Sequence, residues 1–344
     1  MHGLFRFYTM HPMIEKTLWH PALASNELMQ APVAASLLGA ELVIWRDQHG
    51  IVHAWADRCP HRGAKFSLGR VVENRLECGY HGWQFAASGQ CMHVPALPDF
   101  KPPASHCAQV FEAQEAYGLI WVRLEKSDSV IPAFAAEDDA RLRKVNCGPY
   151  FVQTSAPHLV ENFLDMSHFG FVHEGWLGDR AHVAMLDYDL QKTATGILAT
   201  NCQAWQPKSN LHSTTGSMVS YTYEVNAPYT CILTKAPDPA TISASVADKD
   251  KYPFRESIAL FVCPITPETS RVWIRMAMTD FESPDSALQS FQNTIFGQDQ
   301  PVLESQSPKR LPLDLRAELH TVADKASSAY RRYLQERGIT FGVC

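Results

Sequence analysis

No stretch of this 344-residue sequence approaches the length of a bilayer span. Apolar runs such as LIWV at residues 119–122 are strand-sized, whereas a membrane helix needs about 20 consecutive apolar residues. The opening segment, MHGLFRFYTMHPMIEKTLWHP, has no cationic head followed by an unbroken apolar stretch, so it reads as neither a secretion signal nor a membrane span. An excess of positive charge is also missing. With 30 Lys and Arg against 36 Asp and Glu the formal net charge is −6, which argues against a nucleic-acid partner. The nine cysteines are odd in number and scattered over a long chain, unlike a disulfide scaffold. They fit a reducing compartment, and a cytoplasmic location is the expectation. No internal repeat or low-complexity segment is found.

What the chain does have is material for a core: 46% hydrophobic residues against 19% charged, a balance that excludes disorder. Its length suits two domains. Residues 41–57, ELVIWRDQHGIVHAWAD, read as strand, turn and strand, and YGLIWVRL at residues 117–124 as a further strand. Residues 1–125 are therefore expected to form an all-β domain with an N-terminal extension, and the polar, Pro-containing passage after them a linker. Beyond it the pattern changes. A helix is expected from near Pro157, with Leu159, Phe163, Met166 and Phe169 on one stripe. Period-two segments follow at residues 185–190, 218–225, 257–261 and 271–278, then helices after Ser283 and over residues 318–336. The fold class expected is α+β, with residues 126–344 forming a linker and an antiparallel β-sheet flanked by helices.

The strongest short-range signal is CPHRG followed by CGYHGW. It places Cys59 and His61 one residue apart, then sixteen intervening residues, then Cys78 and His81. Two compact ligand pairs on separate turns can converge on a metal. Thiolates and imidazoles suit either zinc or sulfide-bridged iron, but zinc knuckles usually leave two or more residues between their first ligands, where this chain has only Pro60. A cluster with one iron on two cysteines and the other on two histidines matches the set. Gly63, Gly79 and Gly82 would let backbone N–H groups approach its sulfides. Arg62 and Trp83 read as surface charge and packing.

A second constellation lies in ENFLDMSHFGFVHEGW, residues 161–176. Asp165 and His168, three apart, are expected on one helical face, and Gly170 offers a bend that brings His173 round. Two histidines and a carboxylate form a facial triad that leaves positions open on ferrous iron. The carboxylate must come from a distant element. Asp299, in TIFGQDQPVLESQ, is the first candidate, with Glu304, Asp280 and Asp285 as alternatives. Asp165 is placed to accept the outer N–H of His168 and fix its tautomer. Asn162 either hydrogen-bonds near the iron or is simply a polar helix position.

With both motifs in view, the chain resembles the α-type oxygenase subunit of the Rieske non-haem iron oxygenases. The resemblance rests on CPH with CGYHGW, and on NFLDMSHFGFVH at residues 162–173, and extends from residue 41 to the C-terminus. It implies that Cys59, His61, Cys78 and His81 hold a [2Fe–2S] Rieske cluster and that His168, His173 and Asp299 hold mononuclear Fe(II). Relatives commonly have Glu before that Asp, where Gln298 stands here. The resemblance also implies a head-to-tail homotrimer without β subunit, in which Asp165 links His81 of one protomer to His168 of the next. HFGFVHEGWLGDR and AYRRYLQERGITFGVC look like the saxitoxin-pathway hydroxylases. Pocket walls vary on one fold, so the substrate is left open.

The function so implied is monooxygenation: C–H hydroxylation, or oxidative O- or N-demethylation, of a small cyclic or aromatic substrate. Electrons would come from an NAD(P)H-dependent reductase, directly or through a ferredoxin. The alternatives are a cis-dihydroxylating ring dioxygenase and a non-enzymatic Rieske electron-transfer protein, the latter having no use for the second motif. Arg180, Lys208, Lys235 and Arg255 read as solvated charges, and Phe163, Phe169, Trp205 and Phe291 as core aromatics. Tyr330, Arg331 and Arg332 are assigned to the terminal helix or an interface.

Overall fold

The computed structural model describes residues 13–242 and 255–344. Residues 1–12, and with them most of the N-terminal segment considered as a signal, lie outside the described residues. Among the described residues no helix is long and apolar enough to cross a membrane.

Alternating apolar segments and tight turns give four strands at the start: β1 (His20–Ala24), β2 (Val33–Leu37), β3 (Ala40–Arg46) and β4 (Val52–Ala56). The β3–β4 turn closes because Asp47 Oδ1 accepts from the backbone N–H groups of His49 and Ile51 at 2.9 and 3.0 Å. Four short strands follow, β5 (Arg70–Val72), β6 (Arg75–Glu77), β7 (Gln84–Ala86) and β8 (Cys91–His93), forming a sheet of their own. The chain then returns through β9 (Val110–Ala116) and β10 (Leu119–Arg123). These complete a six-stranded antiparallel sheet in the order β1-β10-β9-β4-β3-β2. Strand β10 is buried along its whole length, which is why residues 119–122 are continuously apolar instead of alternating, and its last residue, Arg123, is paired with Glu112.

The second sheet has seven antiparallel strands in the order β11-β17-β16-β15-β14-β13-β12. They are β11 (Arg143–Val152), β12 (Asp189–Lys192), β13 (Ile197–Gln206), β14 (Ser217–Ala227), β15 (Thr230–Pro237), β16 (Glu256–Thr266) and β17 (Thr269–Met278). Against it lie α1 (Ala156–Leu164), α2 (Phe169–Val172), α3 (Asp285–Ser305) and α4 (Lys325–Glu336). Strand β14 alternates as expected for one packed face. Strand β16 does not, because both faces are covered. Ile258, Leu260 and Val262 join the helices in one core, while Ala259, Phe261 and Cys263 join Ile120 and Trp121 of the first sheet in another. The chain's end locks the same junction: wholly buried Glu15 accepts from Thr340 N and Phe341 N at 2.6 and 2.7 Å through Oε1.

Three expectations need correction. The single apolar stripe through Met166 and Phe169 does not exist as one helix, since α1 ends at Leu164 and Asp165 is its extended C-cap (φ −86°, ψ 127°). Residues 185–188 do not form a strand, which begins only at Asp189, and Leu186 is 47% exposed. The terminal helix starts at Lys325, after a short turn in which Thr321 Oγ1 accepts from Ala323 N. Arg331 lies on that helix, one of its two expected places, and is buried there, pairing with Glu161 of α1 and with Glu318.

Candidate functional site: two facing loops and a carboxylate–histidine triangle

The two Cys/His loops are built alike. Gly63 N donates to Cys59 O and Gly82 N to Cys78 O, at 2.8 and 3.0 Å; Cys59 N donates to Ala64 O and Cys78 N to Trp83 O, at 2.8 and 2.9 Å. Each loop reverses on a glycine at positive φ, +74° for Gly63 and +69° for Gly82, a conformation that costs a side-chain-bearing residue. Gly79 serves another need: a Cβ there would sit 2.5 Å from the Leu68 carbonyl oxygen. The cysteines are inside, each 2% exposed, and the histidine rings lie toward the surface with centroids 4.7 Å apart. Burial pushes the Cys59 thiol up to about 12 even though the N–H groups of His61 and Arg62 point at its sulfur, and the Cys78 thiol beside it pushes the same way. Such a thiol becomes a thiolate when a metal supplies the opposing charge. Buried sulfurs on one side and imidazoles on the other fit a cluster with chemically distinct irons. Trp83 packs as expected, and the ring it packs on is His61, stacked at 4.3 Å and 7°.

The second group is a triangle of ligand atoms. His168 Nε2 and His173 Nε2 are 3.2 Å apart, and Asp299 Oδ1 is 3.5 Å from the first and 3.3 Å from the second. Cis ligands on an octahedral ion with bonds of about 2.1 Å are separated by about 3 Å, so one face of such an ion fits. The three are brought together by the break after α1, by the short α2 between the two histidines, and by α3, which carries Asp299 inward. Of the four carboxylates considered for the third position, Asp299 alone reaches the histidines. Asp280 is 2.7 Å from His212 Nε2, Asp285 pairs with Arg143, and Glu304 accepts from Gln153 N.

Outer hydrogen bonds decide which nitrogen each histidine presents. His168 Nδ1 donates to Asp165 Oδ2 at 3.2 Å, while Asp165 Oδ1 accepts from Ser167 N and Oγ at 2.7 and 2.6 Å. The contact forms across the extended backbone of Asp165, not along a helical face. Burial opposes its charge, yet the His168 and Ser167 hydrogen bonds hold Asp165 below the usual carboxylate range. His173 Nδ1 donates to Gln298 Oε1 at 2.9 Å. Both rings therefore turn Nε2 to the centre. Burial works against a proton on His173, but Asp299 raises its pKa, so the anion already attracts a cation there. Asn162 Nδ2 reaches Asp299 Oδ1 at 3.4 Å, placing it beside the carboxylate.

Gln298 was visible in the sequence only as a departure from relatives; its place immediately before Asp299 was the signal that it could reach the same site. Gln298→Leu should lower affinity for the mononuclear metal about 10- to 100-fold, the usual effect of losing an outer partner of a histidine ligand, whereas Q298E should retain it. Iron titration of the two variants distinguishes these outcomes. A backbone contact matters as much. A Cβ on Gly178 would lie 2.5 Å from the Phe169 carbonyl carbon and 2.6 Å from Gly170 N. Gly178→Ala should displace α2, lower stability by about 1–3 kcal/mol and reduce mononuclear iron content with an unchanged Cys/His cluster spectrum. Gly170 is required for the same packing, against Asp179 O and Val183, and not as the bend, which falls at residues 165–168.

The triangle opens on a cavity whose walls include Phe163, Phe169 and Phe291, so these aromatics shape a pocket and not only the core. Trp205 lies elsewhere, tilted against His182 at 4.8 Å. Arg180 and Arg255 are exposed as expected, and Lys208 lies over the Trp176 ring at 5.0 Å. Lys235 departs from expectation. It is 5% exposed and paired with Glu256 in the cavity wall.

Residues 18–111 match the Rieske [2Fe-2S] domain family, and residues 152–338 match the vanillate O-demethylase oxygenase C-terminal domain family. Methylxanthine N1-demethylase NdmA of Pseudomonas putida is 34% identical over 330 residues, covering 92% of this chain and 88% of that one. The structure of Pseudomonas putida CBB5 NdmA with caffeine superposes with a TM-score of 0.80 at 32% identity, covering 93% and 90% of the two chains. Dicamba monooxygenase bound to dicamba, at 23% identity and a TM-score of 0.74, covers 94% of this chain and 96% of its own and shares the fold. The chain thus belongs to the Rieske non-haem iron oxygenases, enzymes that couple a [2Fe–2S] cluster to a mononuclear iron.

Proposed function

We propose that this oxygenase component removes methyl groups oxidatively from a small cyclic substrate, an N-methylated heterocycle foremost. The observation that carries the reading is the triangle of His168, His173 and Asp299 in the wall of a largely apolar cavity. In this reading those three residues hold the mononuclear iron, which supplies dioxygen activation when bound. Cys59 and Cys78 hold one iron of the cluster, and His61 and His81 the other. Asp165 and Gln298 keep the two histidines in the tautomer that ligates through Nε2. Asn162 positions Asp299, and Phe163, Phe169 and Phe291 keep water from the reacting methyl group.

The balance is that of a monooxygenase. Dioxygen, two electrons and two protons convert N–CH3 to N–CH2OH and water, and the carbinolamine then splits its C–N bond to give N–H and formaldehyde. A separate NAD(P)H-dependent reductase, directly or through a ferredoxin, delivers the electrons. The working unit is a head-to-tail homotrimer without β subunit, in which Asp165 of one protomer meets His81 of the next. Support for that contact is the exposure of the His81 ring and the 30% exposure of the Asp165 side chain.

The test is turnover of theobromine by the reconstituted holoenzyme under ¹⁸O₂ with an excess of reductase. Formaldehyde equal to the dioxygen consumed, with one labelled atom in water, is expected. Both labelled atoms in a ring diol would indicate the dioxygenase alternative, and dioxygen uptake without formaldehyde from any N- or O-methyl compound would remove the demethylase reading.

A further inference from the structure

The cavity floor is the inner face of the second sheet, and strand register orders it. One rung across β14, β15, β16 and β17 reads Tyr223, Leu233, Ile258 and Met276; the adjoining rung reads Tyr221, Lys235, Glu256 and Met278. An apolar rung is thus followed by a charged pair. Lys235 and Glu256 are 5% and 7% exposed, and Lys235 Nζ lies 2.7 Å from Glu256 Oε2. Lys235 Nζ also donates to the Ser209 carbonyl at 2.7 Å. An ammonium has three N–H donors and a carboxylate two acceptor oxygens. One donor of Lys235 and Oε1 of Glu256 therefore have no partner among the described residues. Both side chains line the cavity, as does Tyr223, whose buried hydroxyl also lacks a partner among the described residues.

A buried ion pair is a poor source of stability, because apolar side chains of the same volume commonly do as well. Its position suggests another use. Lys235 is the one Lys or Arg among the described residues lining the cavity, and Glu256 neutralises it, so the wall offers no free cation to a carboxylate. It offers instead an N–H donor beside a carboxylate acceptor, in surroundings that are mostly apolar. Such a site discriminates strongly, since a ligand without the matching groups leaves buried polar atoms unpaired.

We propose that Lys235 and Glu256 are the specificity-determining residues of this cavity and read the edge of a neutral N-heterocycle in which a ring N–H adjoins a carbonyl. The carbonyl accepts from Lys235 Nζ, and the N–H donates to Glu256 Oε1. The assignment rests on the N-demethylase reading and adds which edge of the heterocycle is held. Methylation of the held nitrogen removes the donor, and an anionic acid meets the Glu256 carboxylate, so both are rejected.

Binding to the holoenzyme, measured by calorimetry without reductant, tests this with three probes. Theobromine carries a ring N–H between two carbonyls, caffeine is the same ring with that nitrogen methylated, and dicamba is a benzoate. Theobromine should bind at least about tenfold more tightly than either of the others, a difference of about 1.4 kcal/mol. In K235M/E256M the preference over caffeine should fall below about threefold, with the Rieske spectrum and thermal melt showing a folded protein. E256Q, which keeps the side-chain shape, should also lose most of the preference and stands in where the double variant does not fold. A native preference below tenfold over either probe, or a preference that survives in a folded variant, overturns the assignment. Because no turnover is needed, the outcome is independent of the formaldehyde test that judges the demethylase reading.

Discussion

Asp299→Ala is expected to leave the [2Fe–2S] absorption intact while iron content falls from three to two per chain and substrate turnover drops below about one hundredth of native. The expectation follows from the triangle. Among the described residues, Asp299 Oδ1 is the one carboxylate oxygen within 3.5 Å of both His168 Nε2 and His173 Nε2. Losing an outer hydrogen-bond partner of a ligand costs about 10- to 100-fold in affinity or activity, and losing the ligand itself exceeds that. The cluster loops are in the other domain and their hydrogen bonds do not involve α3, so their spectrum serves as an internal control. Asp280→Ala is the matched comparison. Asp280 is 2% exposed and held by His212 and Ser283 N, so D280A should lower stability yet keep the third iron. Iron analysis beside visible spectra reads both; a third iron retained by D299A, or lost from a folded D280A, would assign the ligand elsewhere.

The two ends of the molecule were unequally legible from the residue order. The Cys59, His61, Cys78 and His81 loops are self-contained: each closes on its own backbone hydrogen bonds, and Gly63 and Gly82 mark the reversals. The β3–β4 hairpin and the periodicity of β14 are local for the same reason. Asp299 is a different matter, since residue chemistry leaves Asp280, Asp285 and Glu304 open beside it; the family resemblance of its segment is what puts it first, and the path of α3 over the sheet brings it to the histidines. Asp165 illustrates a misplaced period. Its spacing to His168 suits a helix, but the helix stops at Leu164 and the same hydrogen bond is made across an extended residue. Lys235 was mistaken for a solvated charge because its partner is chosen by the β15–β16 register, which pairs it with Glu256. Periodicity reports which face a residue occupies; it carries no information about what another strand brings to that face.

Asp165→Asn is expected to uncouple the two iron centres while sparing both. An Asn side chain has the shape of Asp and can still accept from His168 Nδ1 through its oxygen. Its other end, however, is an NH2 group that cannot accept from a second imidazole. In the native chain Asp165 Oδ2 meets His168 Nδ1 at 3.2 Å, while Ser167 occupies Oδ1. The carboxylate is held ionised below the usual range by the His168 and Ser167 hydrogen bonds, against the effect of burial. It is thus an anion, partly exposed, with lone pairs left for a histidine N–H of a neighbouring protomer. Replacing it should leave iron content, the Rieske spectrum and the oligomeric state unchanged, and slow substrate-dependent oxidation of the reduced cluster by about 100-fold. Stopped-flow measurement of cluster reoxidation in single turnover reads that step directly. His81→Asn would remove a proposed cluster ligand and cannot serve as the reciprocal test, so the discriminating observation is the rate in D165N itself. A native rate would show that Asp165 only orients His168, and would remove the proposed bridge through it to a neighbouring protomer.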